Sequence, residues 1–413
     1  MLTPRRTGPG RWAAATVSTV ATTAFPDGFL WGAASAAHQI EGGNVNNDWW
    51  AFEHAPGTPC AEPSRDACDS WNRWPEDLAL LASLGFGAYR FSLEWSRIEP
   101  EEGEWSLAGL DQYRRQCAAA RELGLVPMVT FHHFTTPLWL ARRGGWEAPD
   151  APELFARFCE RAGAHLGDLI GWGCTINEPN IVASMGYLAG VFPPGVHDAG
   201  RRRTVNDAFC RAHRLAVDAL RGGRGDFPVG LTLAMTDYQA VSGGESRRDR
   251  IRRSMEDVYL EATGGDDFVG VQCYTRMRVG ATGALPPEEG VALTQMGYEY
   301  WPGALEATIR RAWDVTAGTP LVVTENGIGT DTDTERISFV TEALAGVRRC
   351  LDDGIDVSGY VYWSLLDNFE WVLGYRPTFG LVAVDRETFE RRPKPSAAWL
   401  GSVARNNAVE FPS

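Results

Sequence analysis

No stretch of 18 consecutive apolar residues occurs in the sequence, which excludes a transmembrane helix of ordinary length. Positive charge is not in excess. Fifty-three Asp and Glu against 39 Lys and Arg leave a net charge of −14, the wrong sign for a surface that binds nucleic acid. The 8 cysteines form no Cys-x-x-Cys pair, so neither a zinc knuckle nor a thioredoxin-type site is expected. There is no Gly-rich phosphate turn, no internal repeat, no low-complexity segment and no linker that would divide the chain. What is present is an ordinary globular composition over 413 residues, 44% hydrophobic and 22% charged, with an unusual 16 Trp. A chain of this length buries a large core, and an α/β barrel of this size forms one domain.

From residue 25 onward, short apolar segments rich in β-branched and aromatic residues alternate with segments of helical spacing. The strand-like segments are 29–35, 88–95, 126–133, 171–178, 229–234, 268–274, 321–325 and 359–365. The helical ones are 74–84, 110–123, 152–166, 205–220, 247–260, 304–313, 337–351 and 395–403, several of them ending at glycine, as at Leu84-Gly85. Strict alternation implies a parallel sheet with right-handed crossovers, and eight units is the number of a (β/α)8 TIM barrel. A doubly wound open sheet alternates too, but fits eight units without a phosphate turn less well. The expected organisation is an unstructured extension over residues 1–24 and one barrel domain over 25–413. The extension carries Arg5, Arg6 and Arg11 before an Ala/Thr/Val stretch, a weak echo of a secretory leader. It reads better as a tail on a cytoplasmic protein. Cys60 and Cys68 share a Pro-rich loop and read as free thiols, with a disulfide as the alternative.

In a barrel the chemistry sits where strands end. The segments here finish in His38, Gln39 and Glu41; in Arg90, Glu94 and Trp95; in His132-His133-Phe134; in Asn177-Glu178; in Gln272-Cys273-Tyr274; in Glu325-Asn326; and in Trp363, followed by Asp367-Asn-Phe-Glu-Trp371. Glu178 and Glu325 end the fourth and seventh strands, which a barrel closes onto one pocket. Two carboxylates flanking a bond are the equipment of glycoside hydrolysis: one protonates the leaving oxygen, the other attacks the anomeric carbon or activates water. Each glutamate alone reads equally as half of an ion pair. The His132-His133 pair does not build a metal site, since neighbours on a strand face opposite ways, and no His-x-His is present. One histidine faces the pocket and the other packs outward. Arg90 has two candidate partners, Glu325 and, four residues along its own segment, Glu94.

Taken together these motifs resemble glycoside hydrolase family 1, the β-glucosidase family of retaining β-glycosidases. The likeness runs from Phe25 to about Trp399. It rests on Phe25-Pro-Asp-Gly-Phe-Leu-Trp-Gly, Gln39-Ile-Glu-Gly, Tyr89-Arg-Phe-Ser, Trp95-Ser-Arg-Ile, Thr175-Ile-Asn-Glu-Pro, Thr324-Glu-Asn-Gly, Trp363-Ser, Asp367-Asn-Phe-Glu-Trp and Phe379-Gly-Leu, in that order. The resemblance implies Glu325 as nucleophile and Glu178 as general acid and then base. Asn177 would hold the sugar 2-hydroxyl, and Arg90 and Tyr274 the Glu325 carboxylate. Gln39, His133, Glu370 and Trp371 would hold the glycone hydroxyls over a floor of Trp363, with Phe379 at the same site. It further implies carboxyl groups about 5–5.5 Å apart, a small-molecule glycoside as partner, no cofactor and no metal.

Three positions depart from the family's pattern. Gln272 stands where an Asn is usual, and is one methylene longer. Phe134 replaces a Trp and so loses an N–H donor toward the sugar 3-hydroxyl. Thr378 stands where an Arg is usual before the final Phe-Gly. The segment between Tyr274 and Trp301 is short, which is expected to open the aglycone side. A subgroup that cleaves phosphorylated sugars carries Ser, Lys and Tyr where this chain has Glu370, Pro377 and Phe379, and a carboxylate would repel the phosphate. The sequence therefore predicts an exo-β-glycosidase acting on β-D-glucosides, with β-galactosides and β-fucosides as further substrates. A transglycosidase of the same fold and a catalytically weak sugar-binding relative are the alternatives.

Overall fold

The structure is a computed structural model and describes residues 21–411. Eight strands close into a barrel: β1 Leu30–Ala34, β2 Ala88–Ser92, β3 Val126–His132, β4 Trp172–Asn177, β5 Val229–Ala234, β6 Phe268–Gln272, β7 Leu321–Asn326 and β8 Val357–Trp363. Each is parallel to its neighbours in chain order, and β8 closes on β1 with Gly359 opposite Leu30 and Trp363 opposite Ala34. The predicted TIM barrel is the observed fold. The first six strands fall within their predicted segments, β7 runs one residue further, to Asn326, and β8 begins two residues earlier, at Val357.

The helices form the outer layer. Ala151–Leu166 shows why they pack there: Leu154, Phe155, Phe158, Cys159, Ala162 and Leu166 recur at steps of three and four and are all buried. Ala199–Arg221 begins where Asp198 accepts the backbone N–H groups of Gly200 and Arg201, a side-chain cap on otherwise unpaired donors. The segment predicted as one helix over 247–260 is interrupted. Glu245–Arg252 buries none of its residues, and a π-helical turn, Arg253–Asp257, follows before Val258–Leu260. The extra residue in that turn swings Glu256 inward. There it is fully buried, accepts the Thr236 N–H at 3.0 Å and pairs with Arg311 at 3.0 Å.

Two hydrophobic cores result. One fills the barrel with Ala34, Met128, Cys174, Phe268, Val322 and Val361 and is topped by Trp363 and Phe379. The larger one lies between strands and helices. Gly327, just after β7, is required by close approach. A β-carbon there would sit 2.0 Å from the carbonyl oxygen of Trp363, so only glycine lets the end of β7 lie against the end of β8.

One expectation needs correcting. Residues 21–24 are not part of an unstructured extension. Ala21–Ala24 forms a strand antiparallel to Ala408–Phe411, with Ala21 opposite Phe411. The β-branched Thr22-Thr23 pair suits a strand. The rest of that expected extension, residues 1–20, lies outside the described residues. Cys60 and Cys68 are both free; the Cys68 thiol meets the carbonyl oxygen of Asp367 at 3.3 Å. No helix among the described residues is long and apolar enough to cross a membrane.

Candidate active site

The strand ends converge as the barrel requires. Glu325, the next-to-last residue of β7, is buried, and both of its oxygens are held. The Arg90 guanidinium, from β2, donates to Oε1 at 2.5 Å, and the Tyr274 hydroxyl donates to Oε2 at 2.6 Å. Arg90 is wholly buried, and its charge is matched by Glu325. The alternative pairing of Arg90 with Glu94 does not occur. Glu94 instead accepts from Asn44, Ser96 and Thr135.

Glu178 follows β4 with φ of +44°, in the left-handed region, and its N–H donates to the Thr232 carbonyl on β5. Phe134 at +70° and Trp371 at +55° share this uncommon conformation. A non-glycine residue there costs of order 1–3 kcal/mol and is held by its surroundings, a pattern typical of functional sites. Burial raises the Glu178 pKa well above the ordinary carboxylate range, and the nearby negative charges of Glu325 and Glu370 push the same way; Arg90 opposes them. Gln272 donates its amide N–H to Glu178 Oε1 at 3.1 Å, so the longer side chain at this position does reach the carboxylate.

Hydrogen bonds settle how Asn177 lies. Its Oδ1 accepts from Arg90 at 2.5 Å and from Thr232 at 3.2 Å, which turns its amide N–H toward His133 Nε2 at 3.1 Å. Burial first, then the charge of Arg90, depresses the His133 pKa well below its usual value, so the ring is neutral. With Nε2 accepting, Nδ1 carries the proton and has no protein partner. Gln39 is arranged in a comparable way: its amide N–H groups go to Asn368 Oδ1 at 3.1 Å and the Phe369 carbonyl at 2.8 Å, and its own oxygen is left unpaired. Glu370 accepts the Trp363 indole N–H at 3.3 Å, and burial raises its pKa to about 8, helped by Glu325 and Asp367. His133 stacks between Trp363 at 5.8 Å and Trp371 at 6.3 Å. His132 turns the other way, edge-on to Trp146, with burial lowering its pKa to about 3.

The structure thus gathers Glu178, Glu325, Arg90, Asn177, Tyr274, Gln39, His133, Trp363, Glu370 and Trp371. Phe379 differs from these. It packs edge-on behind Tyr274 at 5.8 Å and makes no polar side-chain contact, so it supports the wall. Among the described residues no group of three or more His, Cys, Asp or Glu is placed to hold a metal ion. Tyr298 is a member the sequence reading missed. A hairpin bridged by Leu293 and Glu299 carries it, and Gln295 ties that hairpin down through Gly329 and Thr378. The residue is 39% exposed at the rim of the site, and partial burial with the charges of Glu178 and Glu370 pushes its pKa to about 12. A lone aromatic in a short loop carries no periodic signal, and only the fold brings it to the two carboxylates.

Comparison with known proteins agrees with this geometry. The profile of Glycosyl hydrolase family 1 matches residues 21–263 and 270–409. Beta-glucosidase A of Thermotoga maritima is 31% identical over 94% of this chain and 99% of its own length. The bifunctional beta-D-glucosidase/beta-D-fucosidase of Bifidobacterium breve is 32% identical over 92% of this chain and 97% of its own. The crystal structure of the beta-glycosidase BGL167 superposes with a TM-score of 0.88 at 51% identity, covering 94% of this chain and 99% of that one. With its barrel, its convergent strand ends and these full-length likenesses, the chain belongs to glycosyl hydrolase family 1, as a β-glucosidase-like glycoside hydrolase.

Proposed function

We propose that the chain is a retaining exo-β-glycosidase that hydrolyses terminal β-D-glucosides, and also β-fucosides and β-galactosides, by double displacement. One observation carries the reading. Glu325 is charge-paired with Arg90, while Glu178 is held toward its protonated form by burial and by Glu325 itself. Two carboxyl groups of the same kind are thereby set to opposite roles.

In the first step Glu325 attacks the anomeric carbon as Glu178 gives its proton to the departing glycosidic oxygen. Glycosylation removes the negative charge of Glu325. The repulsion that raised the Glu178 pKa is lost, so the pKa falls and Glu178, now ionised, serves as the base for the incoming water. Release of the sugar restores both groups. Around the glycone, the unpaired oxygen of Gln39, the free Nδ1–H of His133 and the Glu370 carboxyl supply an acceptor, a donor and a group that is protonated near neutral pH. Trp363 and Trp371 offer flat faces to sugar C–H groups. Phe134, buried 5.0 Å from Trp371, provides shape without a donor. Weaker dependence on the 3-hydroxyl follows. Tyr298, an exposed residue near Glu178, stacks on the aglycone.

The test is release of 4-nitrophenol from its β-glucoside, β-galactoside and β-fucoside by the intact chain and by Glu325→Gly. The reading requires turnover by the intact chain alone. Turnover by both proteins, or by neither, contradicts it.

A further inference from the structure

A second concavity opens on the same face of the barrel, outside the catalytic pocket. It measures about 500 Å³, within the range of ligand sites (about 300–1,000 Å³). Three strand-following loops build it: the helix Asp48–Glu53 after β1, the segment 136–147 after β3, and the segment 182–201 after β4. One aromatic layer separates it from the glycone residues. Phe52 lines the cavity and meets Trp49 at 5.9 Å, and Trp49 meets Trp371 at 4.5 Å.

The lining is balanced in charge. Glu147 and Arg201 are already paired with each other, and Asp48, which burial pulls toward its neutral form with a pKa of about 7, stands against the exposed Arg142. A phosphate or carboxylate ligand would meet two carboxylates, and a cation would meet two guanidinium groups. A purely apolar ligand would cover Asp48 without offering it a polar partner. Phe52, Val182, Tyr187, Pro193 and Pro194 supply apolar faces between them. Carboxylate acceptors and guanidinium donors side by side, over flat apolar surface, match vicinal hydroxyl groups, each of which both donates and accepts.

Hydrogen-bonding capacity is also left over. Glu147 is bound to Arg201, with one contact at 2.7 Å, and Asp48 accepts the Thr136 N–H at 2.8 Å. Arg142, in contrast, is exposed and makes no ion pair among the described residues. Trp146 lines the cavity as a nearly covered apolar wall, 2% exposed and packed edge-on against His132.

We infer that this cavity is a second, non-catalytic saccharide site that takes a neutral mono- or disaccharide. It is distinct from the aglycone side, where Tyr298 stands, and does not depend on which glutamate does what.

The experiment counts cellobiose bound per chain by equilibrium dialysis, using the full chain carrying Glu325→Gln so that the probe survives. The same count is made with Ala51→Trp added. Ala51 is an exposed residue of the Asp48–Glu53 helix that lines the cavity, and the indole would fill it. The doubly substituted chain is expected to bind one cellobiose fewer than the singly substituted chain, whether or not the catalytic pocket also binds. Arg142→Ala, a truncation of an exposed side chain, is expected to weaken this binding roughly tenfold without lowering the thermal midpoint. In the otherwise intact enzyme, Ala51→Trp should leave turnover of 4-nitrophenyl β-glucoside unchanged. Equal cellobiose counts in the two dialysed proteins would overturn the proposal. Displacement of the same cellobiose by inorganic phosphate would overturn its assignment to a neutral ligand.

Discussion

Glu178 and Glu325 are the same amino acid at the ends of two strands, and their neighbours make them different. Arg90 and Tyr274 donate to the two oxygens of Glu325, while burial, and then the charge of Glu325, raises the pKa of Glu178. A general acid works only while protonated, so kcat/KM for the glucoside should fall as pH rises through the raised Glu178 pKa. Glu178→Gln should abolish that alkaline limb and lower kcat by about 10²–10⁴ for a poor leaving group. A limb that persists in the variant would assign it to another residue. Arg90 makes a second case. Replacing it by Met would leave Glu325 buried beside an apolar chain, and unfolding in urea should show a loss of about 3–5 kcal/mol along with lost activity. A small stability change would mean that water or another cation compensates the carboxylate.

At the level of the element, the barrel was legible because apolar strand-like runs and helical spacing alternate strictly, and the β7 and β8 segments announce themselves by their apolar β-branched runs. The glutamates were legible because strand ends are where a barrel places chemistry. Features that depend on a one-residue change of register were not. The π turn at Arg253–Asp257 serves to bury Glu256, which no periodicity reveals. The strand Ala21–Ala24 is paired with a segment almost four hundred residues away, and local sequence carries no trace of that partner. Tyr298 likewise reaches the site only through the tertiary fold. Two element-scale outcomes follow. Extending an N-terminal deletion from residue 20 to residue 24 should lower Tm, since it strips the strand that covers Ala408–Phe411; an unchanged Tm would show that pairing to be dispensable. Gly327→Ala should cut activity, because its β-carbon cannot coexist with the Trp363 carbonyl at 2.0 Å. Wild-type kcat and KM in that variant would contradict the close approach.

Across the whole molecule, the balance of buried acids sets how stability answers pH. Burial raises Glu370 to about 8, and Glu41, Asp48 and Glu256 to about 7. A carboxyl whose folded-state pKa is raised contributes stability that is fully present below its unfolded value and lost as pH rises through the folded one. Tm should therefore decline between about pH 5 and about pH 8, and Glu370→Gln should flatten the upper part of that decline. A Tm that rises over this range would contradict the burial assigned to these groups. Glu370 is the one of these acids that lies beside Glu178, so the pH range that favours the fold also favours a protonated Glu178.

The most direct test of the central claim, that Glu325 forms the covalent glycosyl intermediate, is mass spectrometry of the chain after reaction with an activated 2-deoxy-2-fluoro-β-glucoside. The account predicts one added fluoroglucosyl group per chain, located on the peptide that contains Glu325, with activity lost in step with labelling. A label on Glu178, or continued turnover of ordinary glucosides with no label at all, would contradict it.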